Sequence, residues 1–166
     1  MKKLLLVLTL IISSLGISQQ AKAQYKMALG ARLGSDLGFT IKYAIAEPHI
    51  IEGIVATRLW YNNGFGLKLT ALYEYHGNIA NIDGFRWFAG GGAHIGFWNG
   101  HSNHKYYYED RTYLTLGIDG IVGLEYTFKF PLNLSLDFKP SFNFGGGRKG
   151  YGSYNEVALS IRYAIQ

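Results

Sequence analysis

The chain contains no cysteine. A disulfide framework, the usual support of a small secreted domain with a modest core, is therefore excluded. So is lipid attachment through an N-terminal cysteine. No apolar run is long enough for a membrane-spanning helix. The longest, from Leu4 to Ile12, is about half of the roughly 20 residues such a helix needs. Beyond Gln24 there is no helical periodicity, no tract of the Ala, Glu, Lys, Leu and Arg type, no internal repeat and no linker. What remains is one domain built without helices.

The first residues carry their own signal. Met1-Lys2-Lys3 is a short basic region, Leu4–Ile12 an apolar core, and Ala21-Lys22-Ala23 a small-residue site before Gln24. Those three parts in that order make a secretory signal peptide, with residues 1–23 removed and residues 24–166 forming the mature domain. Export changes the charge. The whole chain has 16 Lys+Arg against 11 Asp+Glu; losing Lys2, Lys3 and Lys22 leaves 13 against 11, so +5 becomes +2. The basic balance is largely a targeting feature, and no nucleic-acid partner is expected from it.

The mature chain is rich in Gly, Tyr and Phe, in short segments separated by turn residues. Eight strands are expected, at 25–33, 39–45, 51–60, 66–76, 86–98, 113–126, 132–142 and 155–165. Most have the length of a tilted strand crossing hydrocarbon, and the second is the shortest. Successive residues of a strand point to opposite sides. In 132–142 one face carries Leu132, Leu134, Leu136 and Phe138, and the other Asn133, Ser135, Asp137 and Lys139. In 155–165, Val157, Leu159, Ile161 and Tyr163 oppose Glu156, Ser160 and Arg162. Across all eight strands the charged residues are Lys26, Arg32, Lys42, Glu52, Arg58, Lys68, Glu74, Arg86, Asp119, Glu125, Asp137, Lys139, Glu156 and Arg162. All fourteen fall opposite the apolar face.

Alternation alone also fits a soluble barrel with its apolar face inward. Three features favour the reverse. Aromatics of the apolar face gather toward strand ends: Tyr25, Tyr43, Tyr73, Tyr75, Trp87, Tyr126 and Tyr163 at one rim, and Phe39, Tyr61, Phe97 and Phe142 at the other. Aromatic girdles flanking an aliphatic band mark a lipid-facing barrel. The charged face is also poor in bulk, with Gly30, Gly90, Gly92, Gly96, Gly117 and Gly123 on it. A narrow eight-stranded interior needs such economy. Finally, the longest connections, 99–112 and 144–153, fall on one side, as long outer loops do. The expected fold is all-β, an eight-stranded antiparallel up-and-down transmembrane β-barrel. Pro140 cannot donate to a ladder and is expected to mark a bulge or a position above the last pair.

With the segments Gly84-Phe85-Arg86-Trp87-Phe88-Ala89-Gly90-Gly91-Gly92-Ala93-His94-Ile95-Gly96-Phe97-Trp98 and Gly120-Ile121-Val122-Gly123-Leu124-Glu125-Tyr126, the mature chain resembles the small outer-membrane β-barrel proteins of OmpA/OmpX-type architecture. Those segments are similar to barrels common in Bacteroidetes-type bacteria, most of which have no assigned biochemical role. The resemblance implies a Gram-negative cell envelope, contact with outer-membrane lipid and lipopolysaccharide, insertion by the barrel-assembly machinery, and a monomer. Such barrels commonly end on an aromatic residue; here Tyr163 is followed by Ala164, Ile165 and Gln166.

The chemistry on offer is sparse. Charges in a membrane lumen must be solvated or paired, so the fourteen are expected to form a filling ion-pair network. The competing reading is a narrow porin-like path for ions or small solutes. His101, His104, Glu109 and Asp110 share a loop but have no metal-ligand spacing, and neither a metal nor a cofactor is expected. His94 faces the lumen near Asp119 and Glu125 with no serine obviously paired to it, and Ser102 merely neighbours His101. A nucleophile held by a base is missing, so no catalytic residue is assigned and a lipid A-modifying enzyme remains the third reading. Gly145-Gly146-Gly147-Arg148-Lys149 lacks the phosphate-loop spacing. The outer-loop contacts are expected at Tyr106, Tyr107 and Tyr108, which give large area at low entropic cost, and at Arg148 and Lys149, which suit lipopolysaccharide phosphates.

Overall fold

A computed structural model describes residues 25–57, 66–79, 82–100, 111–144 and 151–165. They form β1 (Met27–Gly34), β2 (Leu37–Ala46), β3 (His49–Thr57), β4 (Gly66–Asn78), β5 (Phe85–Gly100), β6 (Arg111–Thr127), β7 (Leu132–Phe144) and β8 (Tyr151–Ile165). Each pairs antiparallel with the next, and β8 closes on β1, so the sheet is an up-and-down barrel. Closure leaves every strand with two neighbours. That is what a wall without water to satisfy its backbone requires. β1, not β2, is the shortest strand, with 8 residues against 10.

The register sets the tilt. From Leu29 the partners run Ile41, Gly53, Ala71, Ala93, Ile118, Phe142 and Ser153 around the wall. Leu29 itself meets β8 at Tyr163, ten residues further along β8 than Ser153. An eight-stranded barrel with such a stagger tilts its strands by about 40° and encloses a bore that side chains fill.

The faces separate cleanly. Leu29, Ile41, Ile51, Val122, Leu136, Leu159 and Ile161 stand exposed on the outer wall, with Ile118 at 54% and Val157 at 58%. Inside lie Arg32, Lys42, Glu52, Glu74, Glu125, Asp137, Lys139, Glu156 and Arg162, none above 2% exposed. A soluble barrel would carry the opposite arrangement, since monomers in water rarely expose an apolar surface of this extent. The interior is not wholly polar. Ile54, Ala56, Leu72, Phe88 and Ile121 make an apolar cluster within it.

Inward glycines of β6 make room for rings of β5. His94 pairs with Gly117 and Phe88 with Gly123. A β-carbon on either glycine would meet the opposite ring. Bulk on one strand is matched by its absence on the next.

Two expectations need correction. Tyr25 was placed on the outer girdle by its phase, but it is 2% exposed. It precedes β1, so strand alternation does not govern it, and its ring turns into the end of the barrel that carries both termini, here the lower end. Pro140 makes neither a bulge nor a strand end. The β6–β7 register is the same below it, at Val122↔Phe138, and above it, at Asp119↔Ser141; the ladder simply skips the positions between. Pro140 still pairs with Asn155 on β8. On the other side it faces Gly120 on the outer wall, where even an added β-carbon would stand at ordinary contact with the ring.

Candidate functional site: the charged lumen

The strand phase that turns aliphatic residues outward leaves their neighbours no choice but to face inward. Twelve of the fourteen expected charges are buried in the lumen: Arg32, Lys42, Glu52, Lys68, Glu74, Arg86, Asp119, Glu125, Asp137, Lys139, Glu156 and Arg162. Arg58 lies outside the described residues. Lys26 departs from expectation and is exposed. It has the inward phase but sits before β1, at the lower rim, where solvent is in reach.

The lower half of the lumen is built around Lys42 and Arg162. Lys42 Nζ lies 2.7 Å from Glu74, 3.6 Å from Glu125 and 3.8 Å from Glu52. It also stands 3.8 Å above the Phe88 ring centre, a desolvated cation–π contact of about 2 kcal/mol. His76 stacks on that ring, and its nitrogens face Glu74 at 2.8 Å and Glu125 at 3.3 Å. Arg162 donates to Glu52 at 2.6 Å, Ser135 at 2.7 Å, Thr40 at 3.3 Å and Asn133 at 3.5 Å. Thr40 in turn donates to Glu52. Tyr25 closes this end, its hydroxyl donating to both Glu125 oxygens at 3.2 Å.

The upper half centres on Glu156. Arg32 grips Asp137 with two bonds of 2.7 Å and reaches Glu156 at 3.5 Å. Lys139 lies 3.0 Å from Glu156 and 3.5 Å from Asp119. Lys68 bridges Asp36 at 2.8 Å and Glu156 at 3.8 Å. His94 holds Asp119 through Nδ1 at 2.7 Å and Asn143 through Nε2 at 2.8 Å. Ser141 also donates to Asp119.

Apart from His76–Glu74, two residues apart on β4, these pairs join different elements, so the network ties the wall together across the bore. Three titratable members were not expected in the lumen. Asp36 sits in a turn, where acids are usually solvated, yet it is 1% exposed. His76 has the inward phase of Glu74, and including neutral polar side chains in the alternation would have found it. Tyr25 offered no such signal.

His94 and Asp119 form a dyad, but the outer nitrogen of His94 is occupied by Asn143, and Ser141 bonds the acid rather than the base. Among the described residues no group of three metal-binding side chains converges. Tyr106, Tyr107, Tyr108, Arg148 and Lys149, and with them His101, Ser102, His104, Glu109 and Asp110, lie outside the described residues.

Tyr25→Phe tests the lower closure. Loss of the hydroxyl donor beside a buried carboxylate is expected to cost about 1–3 kcal/mol. It would be read as a lower urea midpoint in detergent micelles with an unchanged slope. An unmoved midpoint would mean the hydroxyl contributes nothing to holding Glu125.

Neither a family model nor a curated relative matches the sequence. Solved structures do match. The N-terminal β-barrel domain of Pseudomonas aeruginosa OprF superposes with a TM-score of 0.55 at 13% identity, covering 82% of this chain and 96% of that one. Neisserial surface protein A, NspA, superposes with a TM-score of 0.59 at 11% identity, covering 84% and 94%. Both neighbours are eight-stranded outer-membrane β-barrels. At these identities the likeness is one of fold, and this chain shares with them a closed, eight-stranded, antiparallel up-and-down barrel.

Proposed function

We propose that this chain is an exported outer-membrane barrel of the non-enzymatic kind, a sealed anchor that presents its outer connections to the envelope or to partners. One observation carries the reading: an apolar outer wall surrounds an interior filled by paired charges and an apolar cluster. The outer wall suits lipid. The filled interior argues against a porin-like path, because opening it would break several buried ion pairs, each worth several kcal/mol when one partner is removed. The His94–Asp119 dyad, with no nucleophile on its outer nitrogen, gives a lipid A-modifying activity no support. Cleavage after Ala23, insertion by the barrel-assembly machinery, contact with lipopolysaccharide and a single-copy state belong to the same proposal.

The test is direct. Purified protein in planar bilayers is expected to give no discrete conductance steps, and on gels an unheated sample should migrate apart from a heated one. Regular steps would transfer the reading to a narrow channel. Recovery of the protein in the soluble fraction of a Gram-negative host would end the membrane reading altogether.

A further inference from the structure

The apolar belt of the outer wall is not level. Its upper edge follows one register line: Leu33 pairs with Leu37, Leu37 with Thr57, Thr57 with Leu67, Leu67 with Phe97, and Phe97 with Leu114. Strands about 4.8 Å apart, tilted by about 40°, make such a line climb by roughly 3 Å per strand, or about 15 Å from β1 to β6. On the high side, Phe97, Leu114, Leu116, Phe142 and Phe144 are all at least 40% exposed. On the low side the apolar face stops early. Leu33 is followed by the Ser35–Asp36 turn, and on β8 the residues above Val157 are the exposed Asn155 and Ser153.

Belt height follows from the same geometry. From Tyr126 to Leu114 on β6 it is about 30 Å, and from Met27 to Leu33 on β1 only about 15 Å. The usual band is about 25 Å tall. A level bilayer would strand the β5–β7 apolar side chains above the hydrocarbon and draw the β1–β2 turn toward it. Asp36, at the tip of that turn, points inward onto Lys68 rather than out.

We propose that the acyl chains of the outer leaflet meet this barrel along an oblique line, high on β5–β7 and low on β8, β1 and β2. Leaning of the barrel together with local thinning of the bilayer beside β1 and β2 produces it, each at modest cost per ångström of mismatch. The occupant of the high patch is lipid, because the patch continues the belt without a polar break: Tyr126, Leu124, Val122, Ile118, Leu116 and Leu114 are all exposed along β6. The inference rests on the membrane reading above and deepens it.

The absence of native cysteine permits a clean test. Single-cysteine variants Leu114→Cys, Phe144→Cys, Ser153→Cys and Leu159→Cys are spin-labelled in the full chain and placed in phospholipid vesicles. Accessibility to oxygen, which enters lipid, is compared with accessibility to a nickel chelate, which stays in water. Labels at 114 and 144 should match the mid-belt label at 159 in their preference for oxygen. The label at 153 should prefer the chelate, although Ser153, paired with Phe142, lies lower on the wall than Phe144. Chelate access at 114 and 144 with lipid access at 159 overturns the oblique boundary and leaves the membrane reading intact. Protection of 114 and 144 from both reagents also overturns it, in favour of a second copy or another protein on the patch. Chelate access at 159 defeats the membrane reading itself. Gel mobility checks that each variant folds; Leu116→Cys and Phe142→Cys replace any that does not.

Discussion

Arg162→Met is expected to destabilise the folded barrel by about 3–5 kcal/mol, the usual cost of leaving one member of a buried ion pair without the other. Arg162 is the most heavily bonded cation of the lower lumen, with Glu52, Ser135, Thr40 and Asn133 all on its guanidinium. Its removal leaves the Glu52 carboxylate with Lys42 at 3.8 Å and the Thr40 hydroxyl, beside the carboxyl group of Glu74. The loss is measured as a shift in urea midpoint in detergent, with folded and unfolded forms separated by gel mobility. The double variant Glu52→Gln/Arg162→Met should recover a substantial part of it, because the stranded charge goes with its partner. A double variant as unstable as the two single losses combined would show that the pair is not coupled, and the ion-pair account of the lumen would fail at its strongest point.

Gly92→Ala carries the second large effect. Gly92 lies on β5 facing inward, and a β-carbon there would collide with the Ala71 backbone carbonyl of β4. Backbone cannot step aside as a side-chain tip can, so the cost should reach or exceed the upper end of the ~1–3 kcal/mol range for overpacking. Gly120→Ala is the matched control. Its β-carbon points to the outer wall and meets the Pro140 ring at 3.4 Å, an ordinary contact. The Gly92 variant is expected to accumulate unfolded while the Gly120 variant inserts normally. Equal yields of folded barrel would mean that β4 and β5 are not packed so closely.

Much of the wall was legible from sequence because a strand's side-chain period is two and lipid enforces it on every strand at once. Glu74 and Lys42 could be placed inward from their neighbours Tyr73 and Tyr43 alone. The same rule misplaced Tyr25 and Lys26, which precede β1: Tyr25 lies outside the regular strand, and Lys26, though its backbone bonds Ile165 and Ala44, sits at the rim where its side chain reaches solvent. Pro140 was misread for another reason. Proline forbids one hydrogen bond, but whether the chain answers with a bulge or a skipped pair depends on the residue opposite. Here the ladder skips a pair opposite Gly120, where even a β-carbon would stand at ordinary contact. Asp36 was invisible because its partner Lys68 is two strands away in the chain's order and no local pattern links them.

By itself, the sequence determined the inward and outward faces of the paired strands and that the wall has eight of them. These are consequences of alternation, which is local. Only the tertiary structure decided who pairs with whom: Arg32 with Asp137, Arg162 with Glu52, Tyr25 with Glu125. Those partners are set by the stagger at which β8 closes on β1, a shift of ten residues that no single strand encodes. The sealed lumen, and with it the reading of this protein as an anchor rather than a channel, depends on that closure.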